Sequence, residues 1–185
     1  MFNDARSKKI IFVAHCILNQ NSVSDATAGY PGTIQEIVKL LYNSNIGIAQ
    51  MPCPELLCLG LARGNTEGRS SSIVEENTRI REQMKKHLMQ HKINRLVKDI
   101  IFQITEYNFH GFELLGIIGI NRSPSCGVDT TSDHNKEISG SGIFIESLKK
   151  ALQNQNLSIK IIGIKASEIE IAMGSVKGLL ESNSM

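Results

Sequence analysis

Nowhere in the 185 residues does an apolar run approach the roughly 20 residues that span a bilayer. The run nearest the start, Ile10 to Ala14, is too brief for a signal-peptide core, and no cleavage-site pattern follows it. Both absences predict a soluble, cytoplasmic protein without a membrane partner. No GxGxxG or Walker sequence appears, which disfavours a nucleotide cofactor. There is no HExxH and no CxxC pair. Internal repeats, heptad arrays, low-complexity tracts and composition shifts are also missing, so nothing marks a second domain. Charge of either sign is nearly balanced. A net charge of +2 and a pI near 8.3 are too mild to announce a nucleic-acid binder, although they permit a small basic patch.

What is present fits one globular domain over residues 1–185: 41% of residues are hydrophobic and 21% charged, enough for a core that needs no staples. Four short apolar runs read as buried strands, at Lys9–His15, Ile46–Met51, Glu113–Ile120 and Ser158–Ile164. Helical periodicity fills the intervals. Ile34, Ile37, Val38 and Leu41 form a stripe within Thr33–Asn43, with Thr33 as its cap. Residues 73–110 hold two helices or one bent helix, 142–153 another, and one or two short helices follow Ala166. The polar stretches 63–72 and 128–142 read as loops. Strands alternating with helices predict an α/β fold, a three-layer Rossmann-like domain with a mostly parallel sheet. Ligands of such sheets collect outside the carboxyl ends of the strands.

Four cysteines at these spacings suit a metal or redox role better than a disulfide framework, the alternative being that they are small buried hydrophobes. Cys16 directly follows the first predicted strand, Cys53 follows the second by two residues, and Cys126 lies six beyond the third. All three therefore fall on one rim of the sheet. Cys58 differs. If Pro54 opens a short helix, Cys58 is rotated from Cys53 by roughly 500°, about 140° net, and points elsewhere. Three thiolates leave a coordination position open for chemistry, whereas four close the site, as in electron-transfer or sensor proteins. Zinc also takes three sulfurs, usually within CxxC pairs.

Cys53-Pro54-Glu55 and Arg122-Ser-Pro-Ser-Cys126-Gly127 resemble the signature of the thiouracil desulfidase family, long known as a domain of unknown function. His15-Cys-Ile-Leu-Asn19 is similar to the family's N-terminal cysteine element, and Gly140-Ser-Gly142 to its glycine-containing approach to a helix. The similarity runs from about Ile10 to Ile164. It implies a 4Fe-4S cluster held by Cys16, Cys53 and Cys126, with one iron open to the sulfur of a thiocarbonyl such as 2-thiouracil or a thiouridine-type base. The sulfur then leaves as hydrosulfide without an external redox partner. Where the family has tyrosine, aspartate and glycine after its first cysteine, this chain has Asn19–Pro31, and Leu56–Ala62 replaces its glycine-rich sequence after CPE.

Such a reaction needs proton handling. Glu55, two residues from a ligand, is the expected general acid or base, or else a helix-capping carboxylate. Ser123 is the expected catalytic partner and Ser125 a supporting hydroxyl, unless both only bond turn backbone. Arg122 offers positive charge to an anionic cluster or hydrosulfide, or forms a surface ion pair. His87 and His91, four apart, sit among lysines that repel a cation and read as a solvated helix face. The basic residues Arg79, Arg81, Arg95 and Lys98 suggest an RNA partner only weakly, because Glu75, Glu76, Glu82 and Asp99 are interspersed. A small thiolated molecule is the expected partner. The competing expectations are a closed four-cysteine iron-sulfur redox or sensor protein and a zinc-stabilised interaction domain.

Overall fold

Each of the four apolar runs becomes a strand of one parallel sheet in the computed structural model, which describes residues 2–182 except Thr66 and Arg69. The expected loop over 63–72 thus lies partly outside the described residues. The strands are β1 (Lys9–Val13), β2 (Gly47–Gln50), β3 (Glu113–Ile120) and β6 (Ile161–Ile164), with β4 (Thr130–Asp133) and β5 (Lys136–Ser139) forming a separate hairpin. The helices are α1 (His15–Leu18), α2 (Gln35–Asn43), α3 (Pro54–Leu59), α4 (Ile73–Lys85), α5 (His87–Phe109), α6 (Ile143–Asn154) and α7 (Ile169–Glu181). No helix among the described residues is long and apolar enough to cross a membrane.

Strand order is β2-β1-β3-β6, all pairs parallel. From β1 the chain moves one way to β2, then recrosses β1 to reach β3 and continues to β6. Right-handed crossovers therefore put α2 on one face and the helices from α3 to α6 on the other. The packing agrees: α2 lies against α7, while α5 lies against α3, α4 and α6. Ile11, Phe12, Val13, Ile117 and Ile118 bury the sheet centre. Ile93, Val97, Ile100 and Ile104 present the buried stripe of α5 at three- and four-residue spacing. Each such side chain contributes about 1.5–3 kcal/mol on burial.

Residues 73–110 form two helices because Lys86 is extended (ψ 142°). Ser72 and Glu75 cap the first of them reciprocally. Three expectations need correction. Thr33 does not cap α2; the position belongs to Ile34, whose side chain is fully buried and whose N–H bonds Ile17 O at 3.0 Å. Core burial fixes that helix start. The stretch 128–142 is not all loop, since Thr130–Asp133 pairs with Lys136–Ser139. Its turn residues, His134 and Asn135, both have positive φ (50° and 59°), as a type I′ turn demands, without the Asn-Gly that usually signals one. The short α1 was not expected either.

Candidate functional site

The reversal of strand order falls between β1 and β3, where a doubly wound sheet opens a crevice at its carboxyl edge. A cavity of about 420 Å³ opens there, lined by Cys16, Cys53 and Cys126. Each thiol arrives on a different element. Cys16 sits in α1, where Gln20 Nε2 donates to its carbonyl at 2.7 Å and Gln20 Oε1 accepts from Gly29 N at 3.1 Å. One buried amide thereby ties the first thiol to the loop at Gly29, which also lines the cavity. Cys53 occupies the N-cap of α3, ahead of Pro54, and its Sγ accepts from Leu56 N at 3.4 Å.

Cys126 lies in a loop with two differently bonded sides. Asn121 Oδ1 accepts the N–H groups of Val128, Asp129 and Thr130 at 3.2, 3.0 and 3.5 Å, and a Cβ at Gly163 would fill the space that the Asn121 side chain needs. Four successive carbonyls are bonded outward. Ser132 Oγ donates to Arg122 O (2.7 Å), Thr131 Oγ1 to Ser123 O (2.9 Å), Ile143 N to Pro124 O (3.1 Å) and Phe144 N to Ser125 O (3.0 Å). Arg81 adds a second donor to Pro124 O at 3.3 Å and pairs with Asp133 at 3.1 Å. Gly142 permits this approach, since a Cβ there would collide with the Ser125 carbonyl.

Beside the thiols lies a polar relay. Glu55 is 7% exposed; its Oε1 accepts from Ser125 Oγ at 2.6 Å and Ser123 Oγ at 3.3 Å, and its Oε2 accepts from Arg63 Nε at 3.1 Å. Ser125 is the closer serine, and its Oγ also lies 3.6 Å from Cys126 Sγ. Ser123 Oγ accepts the N–H of Cys126 at 2.9 Å and so serves the turn as well. Arg63, fully buried, also reaches Cys53 Sγ at 3.8 Å.

Burial pushes the Cys16 thiol up to about 12, with the neighbouring Cys53 and Glu55 adding to the effect. Burial followed by Glu55 raises Cys53 to about 11, and burial with the other two cysteines raises Cys126 well above the ordinary thiol value. Without a cation, the site holds neutral thiols.

Every residue expected in the site, namely Cys16, Cys53, Glu55, Arg122, Ser123, Ser125 and Cys126, lines this one cavity. Arg122 also pairs with Glu137 at 3.2 Å and is half exposed. Cys58 is buried in α3, which packs on α5, and is not among the lining residues. His87 and His91 stand exposed on α5 with Nε2 atoms 3.2 Å apart, away from the cavity. Sequence reasoning missed Arg63, Gln20 and Asn121 as parts of the site.

Three soft sulfurs from separate strand ends, with Leu56 N–H, Ser125 Oγ and Arg63 Nη2 near them as donors, fit an iron-sulfur cluster in donor chemistry. Among the described residues no group of three or more His, Cys, Asp and Glu side chains is arranged to hold a single metal ion. Ligands of a cluster need not converge in that way, because each binds a different iron.

No family model matches the chain, and no solved structure matches it. Among curated proteins it is similar to "Uncharacterized protein MJ0003" of Methanocaldococcus jannaschii, with 33% identity over 164 residues, 88% of this chain and 90% of that protein.

Proposed function

This chain belongs to the same family as MJ0003, and we propose that it is an iron-sulfur-dependent, non-redox desulfidase that removes sulfur from a thiocarbonyl compound of the thiouracil or thiouridine-base type. The observation that carries the proposal is the meeting of three thiols and the Glu55–Ser125 pair on one cavity wall. The CPE and RSPSCG motifs, which resemble those of the thiouracil desulfidases, support it. Cys16, Cys53 and Cys126 would hold a 4Fe-4S cluster; Cys58 would take no part. When bound, such a cluster supplies a thiophilic iron without a protein ligand, a Lewis acid for a soft sulfur.

The remaining chemistry belongs to the chain. Thiocarbonyl and water give carbonyl and hydrogen sulfide, so one water must lose its protons and the departing sulfur must gain them. The Glu55 carboxylate, with both oxygens engaged in the cavity wall, is the base for water. Ser125 Oγ, 2.6 Å from Glu55 and 3.6 Å from Cys126 Sγ, passes a proton between the carboxylate and the sulfur side of the cavity. Ser123 holds the Cys126 turn and adds a second hydroxyl to the same oxygen. Ile34, Ile120 and Tyr30 line the cavity with apolar surface that suits a flat ring and limits water.

The test is anaerobic reconstitution of the full chain, assay of iron and acid-labile sulfide, and measurement of sulfide released from 2-thiouracil, 4-thiouracil and their nucleosides. Release should require Cys16, Cys53 and Cys126 individually, and Glu55→Gln should lower kcat by about 10²–10⁴-fold. A loaded protein inert towards every thiocarbonyl would refute the activity. Zinc without labile sulfide would refute the cofactor.

A further inference from the structure

Arg63 heads the large side chains that the fold buries completely, at 2% exposure. A guanidinium is permanently charged, and its removal from water is costly. The fold spends most of its donors on backbone. Nη1 donates to Gly60 O at 2.9 Å and Leu61 O at 3.2 Å, and Nη2 donates to Ser22 O. The Arg63 backbone is itself in the left-handed region (φ 53°), and its carbonyl is held by Arg79 Nη2 at 2.8 Å. A buried ion pair is seldom more stabilising than apolar residues of the same volume. Stability alone therefore does not account for this one. What the carbonyl clamp achieves is orientation: it fixes the guanidinium plane so that Nε meets Glu55 at 3.1 Å and Nη2 lies 3.8 Å from Cys53 Sγ.

We infer that Arg63 is a positioning residue for the thiol cavity, locking the Glu55 carboxylate towards Ser125 and placing one fixed positive charge and N–H donor at the Cys53 sulfur. The inference rests on reading the cavity as the site of a cluster-dependent desulfidase. It makes the three cysteines unequal: among the described residues Cys53 alone has a cationic donor near its sulfur, whereas Cys126 lies beside the Ser125 hydroxyl. Donors at ligating sulfurs raise the reduction potential of a cluster, so this arginine would set the potential at one corner. It would also keep the carboxylate from swinging away on a helix only six residues long.

The experiment uses the full chain as wild type, Arg63→Lys and Arg63→Gln, each reconstituted anaerobically. Iron and sulfide content, the EPR-monitored midpoint potential, and kcat and KM for a thiouracil are then measured. Both variants should bind the cluster with a more negative midpoint, and kcat should fall by roughly 10–100-fold with KM little changed. Wild-type potential and kcat in both variants would overturn the inference. If the variants do not fold, the wild type still decides. The exchange-protected Arg63 Nε–H, assigned by its loss in Arg63→Gln or by triple-resonance assignment of the wild type, should be visible by ¹⁵N NMR with the oxidised cluster and shift or broaden on reduction, and an Arg63 signal indifferent to reduction would overturn the inference. A wild-type chain that binds no cluster overturns both readings. One that binds a cluster yet acts on no thiocarbonyl overturns only the desulfidase, because the potential shift still tests Arg63.

Discussion

Alkylation of the metal-free protein puts the buried thiols to a quantitative test. The perturbation is iodoacetamide at pH 8, applied to folded protein and to the chain in urea. Cys16 is held at about 12, against an ordinary thiol value near 9. Its thiolate fraction at pH 8 is therefore about a thousandfold below that of the unfolded chain. A more basic thiolate is a better nucleophile, and a Brønsted slope of about 0.4–0.5 returns roughly 20-fold. The folded Cys16 should react about 50-fold more slowly than the unfolded one. Cys53, held at about 11, should be slowed only about tenfold by the same reasoning. Peptide-resolved mass spectrometry gives both rates in one experiment. Both should still climb with pH between about 10 and 11, where a free thiol has levelled off. Cys16 reacting at its unfolded rate at pH 8, or a plateau near pH 10, would refute the account of the cavity as a place that keeps thiols neutral.

The same thiols make metal-free stability depend on pH. Their folded-state values are raised above those of the unfolded chain, so their contribution is complete below about pH 9 and is lost as pH rises towards 11–12. Urea midpoints should fall across that window, and fall less in a Cys16→Ala, Cys53→Ala double variant. Asn121→Ala strips the shared acceptor from three backbone N–H groups and should cost about 1–3 kcal/mol by denaturant unfolding. Gly142→Ala, forced against the Ser125 carbonyl, should cost about 1–3 kcal/mol as well. Cys58→Ala removes one buried sulfur and should leave iron and sulfide content unchanged on reconstitution, whereas alanine at Cys16 should abolish both.

The sheet was legible because its central strands β1 and β3 are continuous apolar runs whose burial leaves few alternatives, and the half-buried edge strands β2 and β6 keep the same apolar character. That reading alone brought Cys16, Cys53 and Cys126 to one rim, and proline at the start of α3 turned Cys58 away. The hairpin escaped because Thr-Thr-Ser-Asp has no apolar face to betray a strand and His134-Asn135 is an uncommon pair for its turn. Arg63 escaped for another reason. Its partners are carbonyls and groups from 2 to 41 positions away, which no local pattern encodes.

The one-sided bonding of the Cys126 loop has a mechanical corollary. With the carbonyls of residues 122 to 125 braced by α6, the β4–β5 hairpin and Arg81 of α4, strain at Cys126 runs outward into side chains and N–H groups behind the loop, none of which lines the cavity. Geometry at that thiol is thus governed from the rear. A substitution at Arg81 or Thr131 would act as a slackened guy-line, altering the Cys126 sulfur's position although neither residue lines the cavity.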